Sequence, residues 1–260
     1  MSSRSRRADL GRLRRDSLAG WLTLPIGIVA WETAGRVSHF EFLPPFSAAL
    51  AAVWRMTWSG ELPQSIGASL TALLIGYASA VVVGIPLGLL MGRYRRLDAF
   101  LDVYVTILLA TPKLLFVPIL FSMFGTSQLT QVIFIYLSAL VIIVVNARSG
   151  VRAVDAGCVE MARSFGATER QVLTRILLPG ALPLIMAGVR MGMARGVRAM
   201  IKGEMLIAVV GMGALLRKYG GRFDAASVFG LLLVIVGIAL FCTSMIRWLE
   251  RRMTPWTEGT

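Results

Sequence analysis

Residues 66–92 read IGASLTALLIGYASAVVVGIPLGLLMG, and this stretch contains no charged side chain. A helix needs about 20 apolar residues to cross the hydrocarbon core of a membrane. The bilayer core offers no water to backbone amides, so a stretch of this length must form a helix. A transmembrane strand needs only about ten residues of alternating character. The stretch therefore predicts a membrane-spanning helix and disfavours a β-barrel.

Five further apolar stretches follow the same pattern along the chain: Leu18–Ala34, Val103–Phe124, Leu129–Ala147, Leu182–Val210 and Val228–Ile246. The 260 residues are 56% hydrophobic and only 16% charged, whereas soluble domains carry about 25% charged residues. We therefore expect an all-α integral membrane protein with about six transmembrane helices. The two cysteines, Cys158 and Cys242, lie far apart and are predicted to be free thiols.

The distribution of positive charge predicts the topology. The net charge is +13, and seventeen Lys and Arg residues fall in tails and loops on one side, against five on the other. The positive-inside rule then places both termini in the cytoplasm. These basic residues interrupt apolar runs, so binding to nucleic acid is not expected. Residues 1–17 form a basic tail, residues 18–250 the membrane domain with a core at 66–246, and residues 251–260 a second tail.

The longest connection on the cytoplasmic side contains ordered local signals at residues 155–180. Val159–Phe165 favours a short helix that Gly166 ends in a left-handed conformation. Thr168 and Gln171 have the spacing of a capping box for a second helix, which Pro179 is predicted to stop. The result is a compact helix pair under the membrane. From these residues alone, a surface hairpin resting on the bilayer is an equal alternative.

The same segment carries a family resemblance. Glu160-Met161-Ala162, then Gly166, then Ile176-Leu177-Leu178-Pro179 resembles the EAA loop of binding-protein-dependent ABC importer permeases. The resemblance extends from about Ile66 to Ile246 and is strongest to the taurine, alkanesulfonate and nitrate branch. It includes Gly84-Ile85-Pro86-Leu87-Gly88, Thr111-Pro112-Lys113, Gly203-Glu204-Met205-Leu206 and Gly211-Met212-Gly213. Met161 departs from the alanine of the motif.

The resemblance implies a type I ABC importer permease fold in the bacterial plasma (inner) membrane, with several membrane passes. It also implies that residues 155–180 dock on a separate cytoplasmic ATPase. Glu160 would contact that ATPase or cap its own backbone, and the residues alone favour neither role. The residues predicted to couple the two chains are Glu160, Ala162, Gly166, Ala167, Thr168, Ile176 and Pro179.

The expected partners follow from the same resemblance. The chain contains no phosphate-binding G-x-x-x-x-G-K-[ST] loop. We therefore expect no cofactor on this chain, with ATP and Mg²⁺ held by two copies of a P-loop ATPase. An extracytoplasmic solute-binding protein would deliver the solute, and lipid would surround the spans. A second permease copy would complete the pore, and we favour a homodimer.

The apolar stretch Leu182–Val210, the fifth in chain order, is unusual because it carries charged residues. At about 100° per residue, Arg195, Arg198 and Lys202 fall within about 60° of one another, and Glu204 points to the other side. With Lys113, they are candidates for a path that attracts an anion such as a sulfonate, nitrate, bicarbonate or an organic carboxylate. The alternative is structural ion pairing. Arg190 is expected to snorkel to the cytoplasmic interface, and Glu204 to pair with a cation of another helix.

Two other classes of protein compete with this reading. An ion-coupled secondary transporter would suit charged residues within the membrane, but it leaves the ordered cytoplasmic segment unexplained. An intramembrane enzyme would need a convergent nucleophile, base or metal set, and none is evident in the sequence. The single histidine, His39, has no cysteine or carboxylate cluster beside it, so no metal site is predicted.

Overall fold

The computed structural model describes residue 23 and residues 25–37, 42–206 and 210–253. Within these ranges every regular element is a helix, which confirms the predicted all-α class. The α-helices are residues 25–37 (α1), Phe46–Trp58 (α2), Glu61–Arg93 (α3), Arg95–Ala110 (α4), Phe116–Phe124 (α5), Gln128–Arg152 (α6), Ala156–Ser164 (α7), Glu169–Val172 (α8), Leu178–Leu206 (α9), Met212–Gly220 (α10) and Ala225–Met253 (α11).

Some predicted features lie outside the described residues. They are the basic tail of residues 1–17, the start of the first apolar stretch at residues 18–22, His39, and residues 254–260 of the second tail. Residues 251–253 of that tail continue α11.

In the described part of the chain, four helices are long and apolar enough to cross a membrane: α3, α6, the continuous helix Glu169–Leu206, and α11. A fifth crossing is obtained if Arg95–Ala110 and Lys113–Phe124 count as one broken span, because their axes meet at 89°. The predicted stretch Val103–Phe124 is therefore not a straight helix. The sidedness of the termini stays a prediction.

The break in this span lies at Thr111 and Pro112. Proline disfavours a helical conformation in the residue before it, and Thr111 is extended, with ψ 128°. The ammonium group of Lys113 donates to the main-chain carbonyls of Leu108 and Leu109, which lie at the end of α4. The span is thus interrupted at Pro112, and Lys113 satisfies carbonyls that the interruption leaves open.

Pro179 does not end the second helix of the cytoplasmic segment, and that prediction was wrong. The helix continues from α8 through a π-helical turn at Leu173–Leu177 directly into α9. Proline removes a helical N–H and crowds the preceding turn, and the wider hydrogen-bonding pattern of a π turn gives that crowding room. The cytoplasmic segment and the fifth predicted span therefore belong to one continuous helix.

One compact unit contains residues 62–217 together with the chain from Val234 onward. Its helices approach closely at glycines. A Cβ atom on Gly88 of α3 would lie 2.6 Å from Ala147 Cβ of α6, and one on Gly188 of α9 would lie 2.5 Å from Asn146 Cβ. Both contacts are closer than a side chain allows, so α6 packs against α3 and α9 through small residues.

The second unit is formed by the chain up to Glu61 and by Lys218–Leu233. Trp31 packs in it with ring centroids 5.3 Å from Phe46 and 5.6 Å from Phe229, and its indole N–H donates to the Pro44 carbonyl at 3.0 Å. Burial acts to raise the pKa of Asp224, but hydrogen bonds from Ser227 outweigh it and hold that pKa below its ordinary value.

Candidate functional site

The cytoplasmic segment at residues 155–180 is built from local capping interactions. Asp155 begins α7 by accepting a hydrogen bond from the Gly157 N–H at 2.9 Å. Thr168 and Gln171 form the predicted reciprocal capping box at the start of α8. Both helices are thus fixed by neighbouring residues, and the connection between them is short.

Gly166 ends α7 with a left-handed backbone, φ +82°, as predicted. Its N–H donates to the carbonyl of Arg163 at 2.9 Å, and the Ala167 N–H donates to the carbonyl of Ala162 at 3.0 Å. These two bonds are the Schellman arrangement, which satisfies carbonyls at a helix end. Two of the alanines predicted as coupling residues therefore hold the turn through their backbone.

The outer surface of this segment exposes two large apolar side chains that sequence reasoning did not select. Phe165 is 85% exposed and Met161 is 58% exposed, and Glu160 is exposed beside them. Aromatic residues and methionine are enriched at protein interfaces. The signal available in the sequence was the position of Phe165 directly before the turn glycine. Contact between this surface and an ATPase stays a prediction.

The inner side of the segment is anchored by burial and by ion pairs. Val172 and Leu177 are buried in the hydrophobic core. Glu169 bridges two arginines: Arg93 at the end of α3 and Arg163 of α7, whose guanidinium lies 3.0 Å from the carboxylate. Ile176 is half-buried, and Pro179 is exposed in the continuous helix. The segment therefore packs against the membrane-spanning helices through buried side chains and an ion pair.

A second ion cluster joins α4 to α6 and was missed in the sequence. Asp98 is only 7% exposed and pairs with Arg148 at 2.7 Å and with Arg152. Arg148 also pairs with Asp102. These residues are about 50 positions apart in the chain, so no local pattern indicated that they meet.

We expect Asp98→Asn to destabilise the protein by about 2 kcal/mol, because it leaves two arginines with a partly buried positive charge. Asp102→Asn is the matched control, since Asp102 is about half exposed, and its effect should be below 1 kcal/mol. Thermal unfolding in detergent measures both variants. Equal losses would contradict the central role of Asp98.

The structure brings together Lys113, Arg195, Arg198 and Lys202, four of the five residues predicted for a solute path. They line a cleft of about 530 Å³ whose other walls include Phe134. No carboxylate belongs to the lining of this cleft in the described part of the chain. Lys113 donates to main-chain carbonyls of α4, and Arg198 Nε donates to the carbonyl of Ala194 at 3.0 Å. The basic stripe is thus gathered at one surface.

Glu204, the fifth predicted residue, does not belong to this cleft. Its side chain is fully buried. One carboxylate oxygen accepts from Gln131 Nε2 of α6 at 2.5 Å, and the other accepts from the Gly213 N–H at 2.8 Å. The hydrogen-bond donors are an amide side chain and a backbone N–H, where the sequence predicted a cation. Turning to the other face of α9 places Glu204 in the protein interior.

Gly211 and Gly213 lie so close to the Glu204 side chain that no larger residue fits at either position. A Cβ atom on Gly211 would lie 2.5 Å from Glu204 Cδ, and one on Gly213 would lie 2.5 Å from Glu204 Cβ. The Gly-Met-Gly stretch therefore passes close to the buried glutamate. Met212 is also held there, because its N–H donates to the Ser69 hydroxyl of α3 at 3.0 Å.

Arg190, which is expected at the cytoplasmic interface, pairs with Glu250 of α11 at 2.7 Å. The pair joins α9 to the last membrane-crossing helix, and the two residues are 60 positions apart in the chain.

Comparison with known proteins identifies the family. A family described as "Binding-protein-dependent transport system inner membrane component" matches residues 84–255. The taurine transport system permease protein TauC of Escherichia coli (strain K12) is 30% identical over 241 residues, covering 90% of this chain and 88% of the relative. The putative aliphatic sulfonates transport permease protein SsuC of the same organism is 35% identical over 201 residues, 76% of each chain.

The fold agrees with this assignment. A solved structure of the MetNI methionine ABC transporter in an inward-facing conformation matches with a TM-score of 0.68 at 20% identity, covering 77% of this chain and 98% of that chain. The described residues and that chain therefore share a type I importer permease fold. The chain belongs to the family of binding-protein-dependent transport system inner membrane components, and it is an ABC importer permease subunit that crosses the plasma membrane several times.

Proposed function

We propose that the chain imports a small anionic solute by alternating access. It takes the solute from an extracytoplasmic binding protein, and ATP hydrolysis on two copies of a separate cytoplasmic ATPase drives the cycle. The observation that carries the choice of solute is the cleft with four cations and no lining carboxylate in the described residues. The relatives named for taurine and aliphatic sulfonates support it, because both solutes carry a sulfonate anion.

The charge argument is energetic. A cation near the centre of a membrane helix costs about 2.5–3.5 kcal/mol on insertion scales, so such residues face a cavity or a partner. Arg195 and Lys202 make no ion pair with any described carboxylate. An anion passing through the cleft would supply the missing negative charge.

Because the cleft is open on one chain, we propose that a second copy of the permease closes the path.

The continuous helix Glu169–Leu206 supports the coupling mechanism. It begins in the cytoplasmic segment and also carries Arg195, Arg198 and Lys202. When the ATPase subunits close on ATP, they would move the exposed surface around Phe165. A helix that continues through its π turn would transmit such a displacement to the cleft without an intervening loop. ATP and Mg²⁺ remain on the ATPase, and this chain contributes no catalytic residue.

We expect Arg195→Gln combined with Lys202→Gln to reduce uptake of an anion about thirtyfold in proteoliposomes that contain the ATPase and the binding protein. Two cations leave the cleft, and each is worth about 1 kcal/mol of attraction at a comparable site. Arg175→Gln is the control, because Arg175 is exposed outside the cleft. The probes are labelled taurine, nitrate, bicarbonate and benzoate.

Unchanged uptake in the double variant would remove the cleft from the solute path. Transport of a solute that carries no anionic group in preference to all four probes would contradict the proposed solute class. Uptake that continues without ATP but follows an ion gradient would favour the secondary-transporter alternative.

A further inference from the structure

A second groove, of about 430 Å³, lies where α3 ends beside α8. Its floor is apolar and is formed by Pro86, Leu89 and Leu90 of α3 with Leu173 of the π turn. Its rim is polar and includes Arg93, Tyr94 and Arg170. The groove is thus amphipathic along its length, with apolar walls within a membrane-crossing helix and arginines at that helix's end.

The charge at the rim is positive although one carboxylate is present. Glu169 lines the groove, but Arg93 and Arg163 both pair with it. The guanidinium of Arg170 makes no hydrogen bond or ion pair with any residue that the structure describes. Arg95 and Arg96 follow Arg93 in the sequence after one residue, Tyr94. The rim therefore has more positive than negative charge available to a ligand.

The position of the floor limits what can occupy the groove. Pro86 precedes the last residue of α3, Arg93, by seven residues, which corresponds to roughly 10 Å along a helix. Leu90 and Tyr94 are exposed along this length. With the end of α3 at the predicted cytoplasmic interface, Pro86 and Leu89 lie on the membrane side of Arg93, where a cytoplasmic protein does not reach, and a small hydrophilic anion would leave the apolar floor uncovered. Both features fit a lipid.

We propose that this groove binds an anionic phospholipid of the cytoplasmic leaflet. The acyl chains cover Leu89, Leu90 and Leu173, and the phosphate is held by Arg170 with Arg93. Tyrosine is typical of the headgroup level, where Tyr94 lies at the helix end. Basic pockets between membrane helices on the cytoplasmic side suit anionic headgroups. The lipid would thereby contact the start of the helix that leads from the cytoplasmic segment to the cleft.

Lipid retention on the purified permease chain tests this proposal without an ATPase or a solute, so the result is independent of the proposed transport function. The chain is extracted in neutral detergent, incubated with phosphatidylglycerol or phosphatidylethanolamine, and analysed by native mass spectrometry. We expect at least fivefold preference for phosphatidylglycerol. Arg170→Gln should lower its retention about fivefold, the effect of one cation near an anionic headgroup.

Two further variants separate the groove from general effects of charge or folding. Arg175→Gln removes an exposed arginine that does not line the groove and should leave retention unchanged. Glu169→Gln removes the competing carboxylate and frees Arg93, so retention should rise. Each variant is first checked for a single monodisperse species.

Several results would overturn the proposal. They are equal retention of the two lipids, equal losses in Arg170→Gln and Arg175→Gln, or retention that does not rise in Glu169→Gln. Displacement of phosphatidylglycerol by millimolar inorganic phosphate would show that the groove binds a free anion and not a lipid.

Discussion

Gly166→Pro is expected to reduce the ATPase that co-purifies with the permease by at least tenfold. Gly166 has φ +82°, whereas proline fixes φ near −65°. Proline also removes the N–H that donates to Arg163 at 2.9 Å. The Schellman turn cannot form with this substitution, so Phe165 and α8 lose their fixed relation. A loss of 1.4 kcal/mol in binding already corresponds to tenfold weaker association.

A graded series isolates the backbone conformation as the cause. Asparagine tolerates the left-handed region, so Gly166→Asn should retain nearly all of the ATPase. Alanine costs about 1 kcal/mol at positive φ, and Gly166→Ala should fall between asparagine and proline. No atom lies within 4 Å of the added Cβ, so steric contact does not contribute. Gly157→Ala is the control within the same segment, since its added Cβ has only ordinary contacts.

Membrane extraction under gentle conditions, followed by quantification of the bound ATPase, gives the measurement. Thermal stability and monodispersity of each variant confirm that the permease is folded. Full retention by a well-folded Gly166→Pro variant would show that the turn does not position the docking surface. If the intact chain recovers no ATPase at all, the ion-coupled alternative has to be tested on the charged fifth stretch.

Local sequence signals predicted local structure well. The left-handed Gly166 and the Thr168–Gln171 capping box depend on residues at most five positions apart, so their chemistry is complete within a short window. The prediction that the helix ends at Pro179 was wrong because the effect of a proline depends on the preceding turn. A π turn is not encoded by any single residue.

Contacts between distant residues could not be read in the same way. Helical periodicity correctly grouped Arg195, Arg198 and Lys202 on one face and correctly separated Glu204. Periodicity gives a direction around one helix but not the neighbour found there. Gln131, the donor to Glu204, is 73 residues away, and the Asp98 cluster joins residues of two helices. Only tertiary packing shows which charges meet.

Glu204 gives the second large expected effect, because its carboxylate serves two buried donors. We expect Glu204→Ala to prevent accumulation of folded protein or to lower its unfolding temperature by more than any surface substitution. The Gln131 amide and the Gly213 N–H would both lose their acceptor, and each buried group left unsatisfied costs about 1–3 kcal/mol. The cavity left by the side chain adds to this cost.

Glu204→Gln separates hydrogen bonding from volume. Glutamine has nearly the same shape but offers only one acceptor oxygen, since its other terminal atom is a donor. With the oxygen facing Gly213, the new NH2 group would meet the NH2 group of Gln131 at the 2.5 Å contact, so the Gln131 amide has to turn and present its oxygen instead. We therefore expect Glu204→Gln to lose less stability than Glu204→Ala, because the turned amide restores one hydrogen bond and the side-chain volume is kept.

Exchanging the two side chains should recover much of this loss. In the double variant Glu204→Gln with Gln131→Glu, the oxygen of residue 204 accepts from Gly213, and its NH2 group donates to the new carboxylate at position 131. Gln131→Glu alone places two carboxylates at this contact and should be the least stable of the four proteins, so the double variant should be more stable than Gln131→Glu by about 1 kcal/mol or more. Unfolding temperatures of the four proteins in detergent provide the measurement, and Glu160→Gln, at an exposed position of α7, is the control. Additive losses would mean that the buried glutamate does not act through Gln131. A rescue would show that α6 and α9 are held by the direction of this hydrogen bond, independently of which helix carries the charge.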